Sequence, residues 1–168
     1  MIFVTVGTQL PFDRLIAAVD RWAEDHKRTK IVAQIGDSRL RPQNMEYSAY
    51  MTSQEFKSCF ESSDIVISHA GMGTILTSLD LAKQLVIVPR LAALREHRND
   101  HQLATAEKFK DFPLVHTLTD LVELSNVMDQ IKGSTSHAPE ANVASAGLLQ
   151  AIQSFLINGE QAQWAQSY

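Results

Sequence analysis

The sequence predicts an α/β fold, a parallel sheet with helices on both faces, from three observations. Runs such as Ile2–Val6, Ile65–Ile67 and Leu85–Val88 are apolar or β-branched at every position, the pattern of strands buried on both sides. Amphipathic stretches of helical spacing separate these runs, as crossover helices do in strand–helix–strand units. Polar or glycine-containing segments follow the strand signals: Gly7-Thr8, Gly36-Asp37, His69 to Thr74, and Arg90 onward. Such sheets bind ligands at the carboxyl ends of their strands, so four separate segments point to one edge.

The elements follow in order. Ile2–Val6 is the first strand and ends at Gly7-Thr8. After Pro11, the spacing of Phe12, Leu15, Ile16, Val19 and Trp22 places them on one helical face. Lys30–Ile35 reads as the second strand, and Ser38–Gln43, polar and basic with Pro42, as a loop. Met45–Met51 alternates weakly, as a short strand would. Ser53 is the expected N-cap of a helix ending near Ser62-Ser63. Ile65–Ser68 is the next strand, and the helix after it runs to about Leu81. Beyond Leu85–Val88 comes the polar segment Arg90–Gln102, followed by a helix with Leu103, Ala106 and Phe109 on one face. Leu114–His116 reads as a strand and Leu118–Ile131 as a helix. Two units are expected: a Rossmann-like domain over residues 1–132, and a tail over 133–168. The tail would comprise a small-residue linker (133–139) and a helix (about 141–156) packed on the domain or on a partner.

Composition narrows the function. The net charge of −4 disfavours nucleic acid, whose affinity rests on Lys and Arg at phosphates. The single cysteine, Cys59, forms no internal disulfide; it fits a reducing cytoplasm and a buried apolar role. No stretch reaches the roughly 20 apolar residues of a membrane span, and the first residues read as a strand with no signal peptide. Membrane association would come through a partner or a surface patch.

The chemistry centres on Ser68-His69-Ala70-Gly71-Met72-Gly73-Thr74, between a buried strand and a helix. Glycines there let a ligand approach the unpaired N–H groups of the first helical turn, where the helix dipole favours an anion such as phosphate. Leu76 stands where a dinucleotide fingerprint needs its third glycine, which disfavours an NAD site. His97, Asp100 and His101 have no strong zinc spacing, and Asn99-Asp100 reads instead as a helix cap. No Gly-x-Ser-x-Gly elbow occurs.

Val4–Thr8, Pro11–Leu15, Ile67–Ile75, Val88-Pro89-Arg90 and Glu96-His97-x-x-Asp100-His101-Gln102 together resemble the C-terminal domain of family-28 glycosyltransferases, over about residues 2–125. The resemblance is closest to stand-alone versions of that domain, the catalytic subunits of two-component enzymes in dolichol-linked glycan and bacterial exopolysaccharide synthesis. It implies one half of a glycosyltransferase-B fold that binds a UDP-sugar as donor substrate, with no separate cofactor and no metal. A membrane-anchored, acceptor-binding subunit would supply the other half, carry the lipid-linked glycan acceptor and hold this chain at the inner membrane. By this resemblance His69 and His101 are the catalytic candidates. Gly7, Thr8, Gly71, Met72, Gly73, Thr74, Arg90, Asp100 and Gln102 would line the donor site. Where members carry an acidic residue for the ribose, this chain has Leu76 and Thr77, which leaves Thr77 or Glu96 for that role. The usual Gly-Lys-Pro before the next strand is Ala82-Lys83-Gln84. Two other readings remain open at this point: a nucleotide-binding regulatory subunit without chemistry, and a sugar-nucleotide epimerase or hydrolase.

Overall fold

A computed structural model describes residues 1–134. Six parallel strands, β1 (Ile2–Thr5), β2 (Ile31–Gln34), β3 (Glu46–Ser48), β4 (Ile65–His69), β5 (Gln84–Val88) and β6 (Val115–Thr117), form one sheet in the order β3-β2-β1-β4-β5-β6. The chain reverses its direction of winding between β1 and β4, whose register sets Val4 beside Ile67 and Thr5 beside Ser68. A doubly wound sheet opens its ligand crevice at that point.

The central strands, apolar over most of their length, divide those side chains between two cores, as the two-residue period requires. On one face Ile2, Val4, Val6, Ile65, Ile67, Val86 and Val88 pack with residues of α1 (Asp13–Asp25) and α5 (Leu124–Ser134). On the other, Phe3, Val66, Leu85 and Ile87 meet α2 (Ser53–Ser62), α3 (Met72–Asp80) and α4 (His101–Phe109) through Phe60, Ile75, Leu79, Ala106 and Phe109. Cys59 is half-buried beside this second core. Among the described residues no helix is long and apolar enough to cross a membrane.

Several details depart from the sequence expectation. The N-cap of α2 is Thr52, not Ser53. Its hydroxyl accepts from Glu55 N–H, and Glu55 returns the bond to the Thr52 N–H as a capping box. In α4 the buried face is Gln102, Thr105, Ala106 and Phe109, so Gln102 rather than Leu103 turns inward. The expected helix from Leu118 is broken. Leu118 is buried before a short 3₁₀ turn at Leu121–Glu123, where the Asp120 side chain caps Val122 N–H, and α5 begins only at Leu124. That helix continues through Gly133 to Ser134, two residues past the expected domain boundary. The remainder of the expected linker and the helix near 141–156 lie outside the described residues.

Candidate functional site

At the carboxyl ends of β1, β4 and β5 lies a cavity of about 470 Å³, walled by the loop Val6–Leu10, the turn from His69 to Thr74, Arg90, His97, His101 and Gln102. Its floor is the start of α3. Gly71 is the N-cap in extended conformation (φ −96°, ψ 132°) and offers no capping side chain. Ile75 N–H is the first to bond back, to Gly71 O at 3.1 Å. The N–H groups of Met72, Gly73 and Thr74 therefore have no partner among the described residues, and they carry the positive end of the helix dipole.

The glycines of this region do different work. Gly7 adopts φ +74°, and a Cβ there would come 2.8 Å from His69 Cε1. A Cβ on Gly71 would come 2.9 Å from the same carbon and closer still to Nε2. The His69 imidazole is thus sandwiched between two glycine α-carbons, which holds its ring at the mouth of the crevice. At Gly73 a Cβ would meet nothing within 4 Å. Packing does not require a glycine there; open space lies above it.

Burial, followed by the charge of Arg90 and of His97, pushes the His69 pKa down to about 4, so the ring is neutral at pH 7. Its Nδ1 lies 3.3 Å from Ser68 Oγ. His97 and His101 meet edge to face with centroids 4.5 Å apart, and the Asn99 carbonyl oxygen bonds His101 Nδ1. Burial lowers the His97 pKa as well, and His97 Nδ1 is shut from solvent with no partner among the described residues. Gln102 is 4% exposed, and its side-chain oxygen accepts from Arg90 N–H at 3.1 Å. Among the described residues the cavity lining holds one arginine, three histidines and no carboxylate. Together with the helix terminus, this favours an anion.

Of the residues expected at the site, Gly7, Thr8, His69, Gly71, Met72, Gly73, Thr74, Arg90, His101 and Gln102 converge on this cavity. Three do not line it. Thr77 donates its hydroxyl to Gly73 O one turn back (2.8 Å). Glu96 is gripped by Arg14 through two bonds of 2.7 and 2.9 Å, and it also accepts from Leu91 N–H at 3.0 Å. Asp100 does not cap α4 with its side chain; its carboxylate takes Ala92 N–H at 2.8 Å instead. Arg90 lines the cavity, but both terminal nitrogens are committed to backbone carbonyls. Sequence reasoning missed Gln9 and Leu10 in the cavity wall and did not place His97 there. Their position between the first strand end and Pro11 was the available signal for the first two. Among the described residues no group of three His, Cys, Asp or Glu side chains is arranged to hold a metal ion.

A larger groove of about 680 Å³ runs along α1 to the start of α5, lined by Arg14, Arg21, Trp22, Asp25 and Asp120 among others. It mixes carboxylates with its cations, and the start of α3 is not part of its lining. The smaller cavity has the chemistry.

Residues 1–154 match the C-terminal domain of glycosyltransferase family 28. The chain is 32% identical over 117 residues to the human UDP-N-acetylglucosamine transferase subunit ALG13, a match covering 64% of this chain and 10% of that protein. The Candida glabrata subunit of that name is 39% identical over 70 residues, or 41% of this chain and 33% of that protein. The chain therefore spans only a third or less of these relatives. The fold is also that of the ALG13 solution structure (TM-score 0.58, 19% identity, 79% of this chain and 85% of that one). It is shared with the calicheamicin glycosyltransferase CalG4 (TM-score 0.61, 15% identity, 89% of this chain and 39% of that one), which is matched over less than half its length. With the family match running over 154 of 168 residues, this chain belongs to glycosyltransferase family 28, as its C-terminal domain.

Proposed function

We propose that this chain is the UDP-sugar-binding, catalytic subunit of a two-component inverting glycosyltransferase. The observation that carries the reading is the trio of unpaired N–H groups at the start of α3, facing a cavity free of carboxylates. The names of the ALG13 relatives supply the nucleotide and the idea of a subunit.

The donor's diphosphate sits against the N–H groups of Met72, Gly73 and Thr74, with the sugar toward His101 and Gln102. An acceptor hydroxyl attacks the anomeric carbon from the face opposite the diphosphate. The bond from that carbon to the β-phosphate oxygen breaks, and UDP leaves with its electron pair. Preformed N–H donors meet the growing negative charge without reorganising, and losing one such donor typically costs about 10²–10³ in rate. Neutral His69, fixed between Gly7 and Gly71, lines the same wall without adding a charge. The hydroxyl proton passes to a base on the acceptor-binding, membrane-anchored subunit. The acceptor is a lipid-linked glycan of exopolysaccharide synthesis, and the chain works at the cytoplasmic face of the membrane through that partner.

Calorimetry with a UDP-sugar panel, with and without the acceptor-binding subunit, tests this reading. The isolated chain is expected to bind UDP weakly and to transfer only when paired. Absence of UDP binding at saturating concentration removes the donor reading. Normal transfer by the chain alone removes the two-component one.

A further inference from the structure

We infer that Arg90 is a positioning residue of the donor site, anchoring the β1–α1 loop as a cavity wall, and is not a phosphate ligand; this rests on the UDP-sugar reading above. Arg90 is 2% exposed. Its Nη2 donates to Val6 O at 2.8 Å and Leu10 O at 2.6 Å, and its Nη1 to Pro11 O at 2.6 Å and Glu96 O at 3.4 Å. These four bonds use every N–H of the two terminal nitrogens. The guanidinium carbon lies 4.6 Å from the centroid of the Phe12 ring, an attractive cation–π contact. Burial draws the pKa down to about 10, which leaves the group charged at neutral pH.

The loop is what makes this arrangement functional. Among the described residues, the main chain from Thr8 to Pro11 makes no hydrogen bond except those that Leu10 and Pro11 accept from Arg90. Thr8, Gln9 and Leu10 all line the cavity. Their position is therefore set by one side chain about 80 residues away in sequence. A second brace keeps that side chain's own strand in place. Arg14, in the first turn of α1, grips Glu96 and donates to Pro89 O at 3.0 Å, just before Arg90. Arg90 N–H meanwhile holds the Gln102 carboxamide on the opposite wall. Arg90 thus joins both sides of the cavity. The guanidinium fork reaches four carbonyls from two separate nitrogens; a lysine ammonium has three donors on one atom and keeps the charge without that spread.

That contrast supplies the experiment. UDP binding to wild type, R90K and R90M is measured by calorimetry, and amide spectra of all three are recorded. If Arg90 positions, R90K and R90M lose affinity alike, at least about tenfold, because the ordering of the wall must then be supplied by binding. Amide signals of Thr8–Leu10 shift or broaden while those of β4 and β5 stay. If R90K binds like wild type and only R90M is weak, charge alone matters and the inference fails. It fails equally if both variants bind as wild type. A second measurement needs no variant: in wild type the Arg90 Nη–H signals should exchange slowly and stay unmoved by UDP. Movement of those signals on UDP addition makes Arg90 a ligand. Wild type that binds no UDP at all removes the donor reading itself; wild type that binds while the variants are unaffected removes only this one.

Discussion

Gly73 gives the sharpest test of where the nucleotide sits. A Cβ at this position meets nothing within 4 Å, and the residue is the second in α3. Replacing it with alanine therefore costs no packing, and an interior helical Gly→Ala change stabilises by up to about 1 kcal/mol. Valine fills more of the same space at a slightly lower helix propensity. The new carbons project from the wall that holds the free N–H groups of Met72, Gly73 and Thr74. A hydrogen bond to a charged phosphate oxygen contributes about 1.5–3 kcal/mol. Displacing the phosphate enough to lose one such bond weakens binding roughly 10–100-fold. Gly73→Ala and Gly73→Val are thus expected to keep or raise the thermal midpoint while the dissociation constant for UDP climbs by one to two orders of magnitude, valine more than alanine. Thermal unfolding and calorimetry on the same samples read both quantities. A folded valine variant that binds UDP within about twofold of wild type refutes the placement of the phosphate at this turn.

Gly71→Ala should behave in the opposite way. Its Cβ would press on the His69 ring, which Gly7 blocks from behind, so stability falls by about 1–3 kcal/mol and the His69 ring signals move in NMR spectra. Ala82 sits at φ +49° just after α3, where an L-residue is strained; Ala82→Gly should stabilise the fold by about 1 kcal/mol in chemical denaturation. The lowered His69 pKa predicts a pH dependence. As pH falls from 6.5 toward 4 the unfolded chain takes up the proton first, so stability present above pH 6.5 is lost across that window, by roughly 3 kcal/mol. A His69→Gln variant should lack that part of the slope in urea titrations at a series of pH values. Glu96→Gln leaves a single carboxamide oxygen for the two Arg14 donors and the part-buried Leu91 N–H, and should cost about 2 kcal/mol in the same assay.

Much of this was legible in the residues themselves. Ile2–Val6, Ile65–Ile67 and Leu85–Val88 identify buried strands because an unbroken apolar run has no solvent-facing side, and α1 follows from the spacing of Leu15, Ile16, Val19 and Trp22. The turn at Gly71–Thr74 is equally local: strand, bend and helix lie within ten residues, so the donors at its centre follow from chain geometry. What the sequence left open was the partner of each polar side chain. Arg90, Glu96, Asp100 and Thr77 all read as ligand-facing, yet three of them spend their hydrogen bonds outside the cavity and the fourth spends its own on the cavity's wall. The 3₁₀ break before α5 and the inward turn of Gln102 were also invisible, since each depends on what packs against it. A periodic pattern is a property of neighbours along the chain, and the sequence determined those elements. A guanidinium's choice between a phosphate and the carbonyls of Val6, Leu10 and Pro11 depends on groups about 80 residues away, which only the winding of the sheet brings within hydrogen-bonding distance.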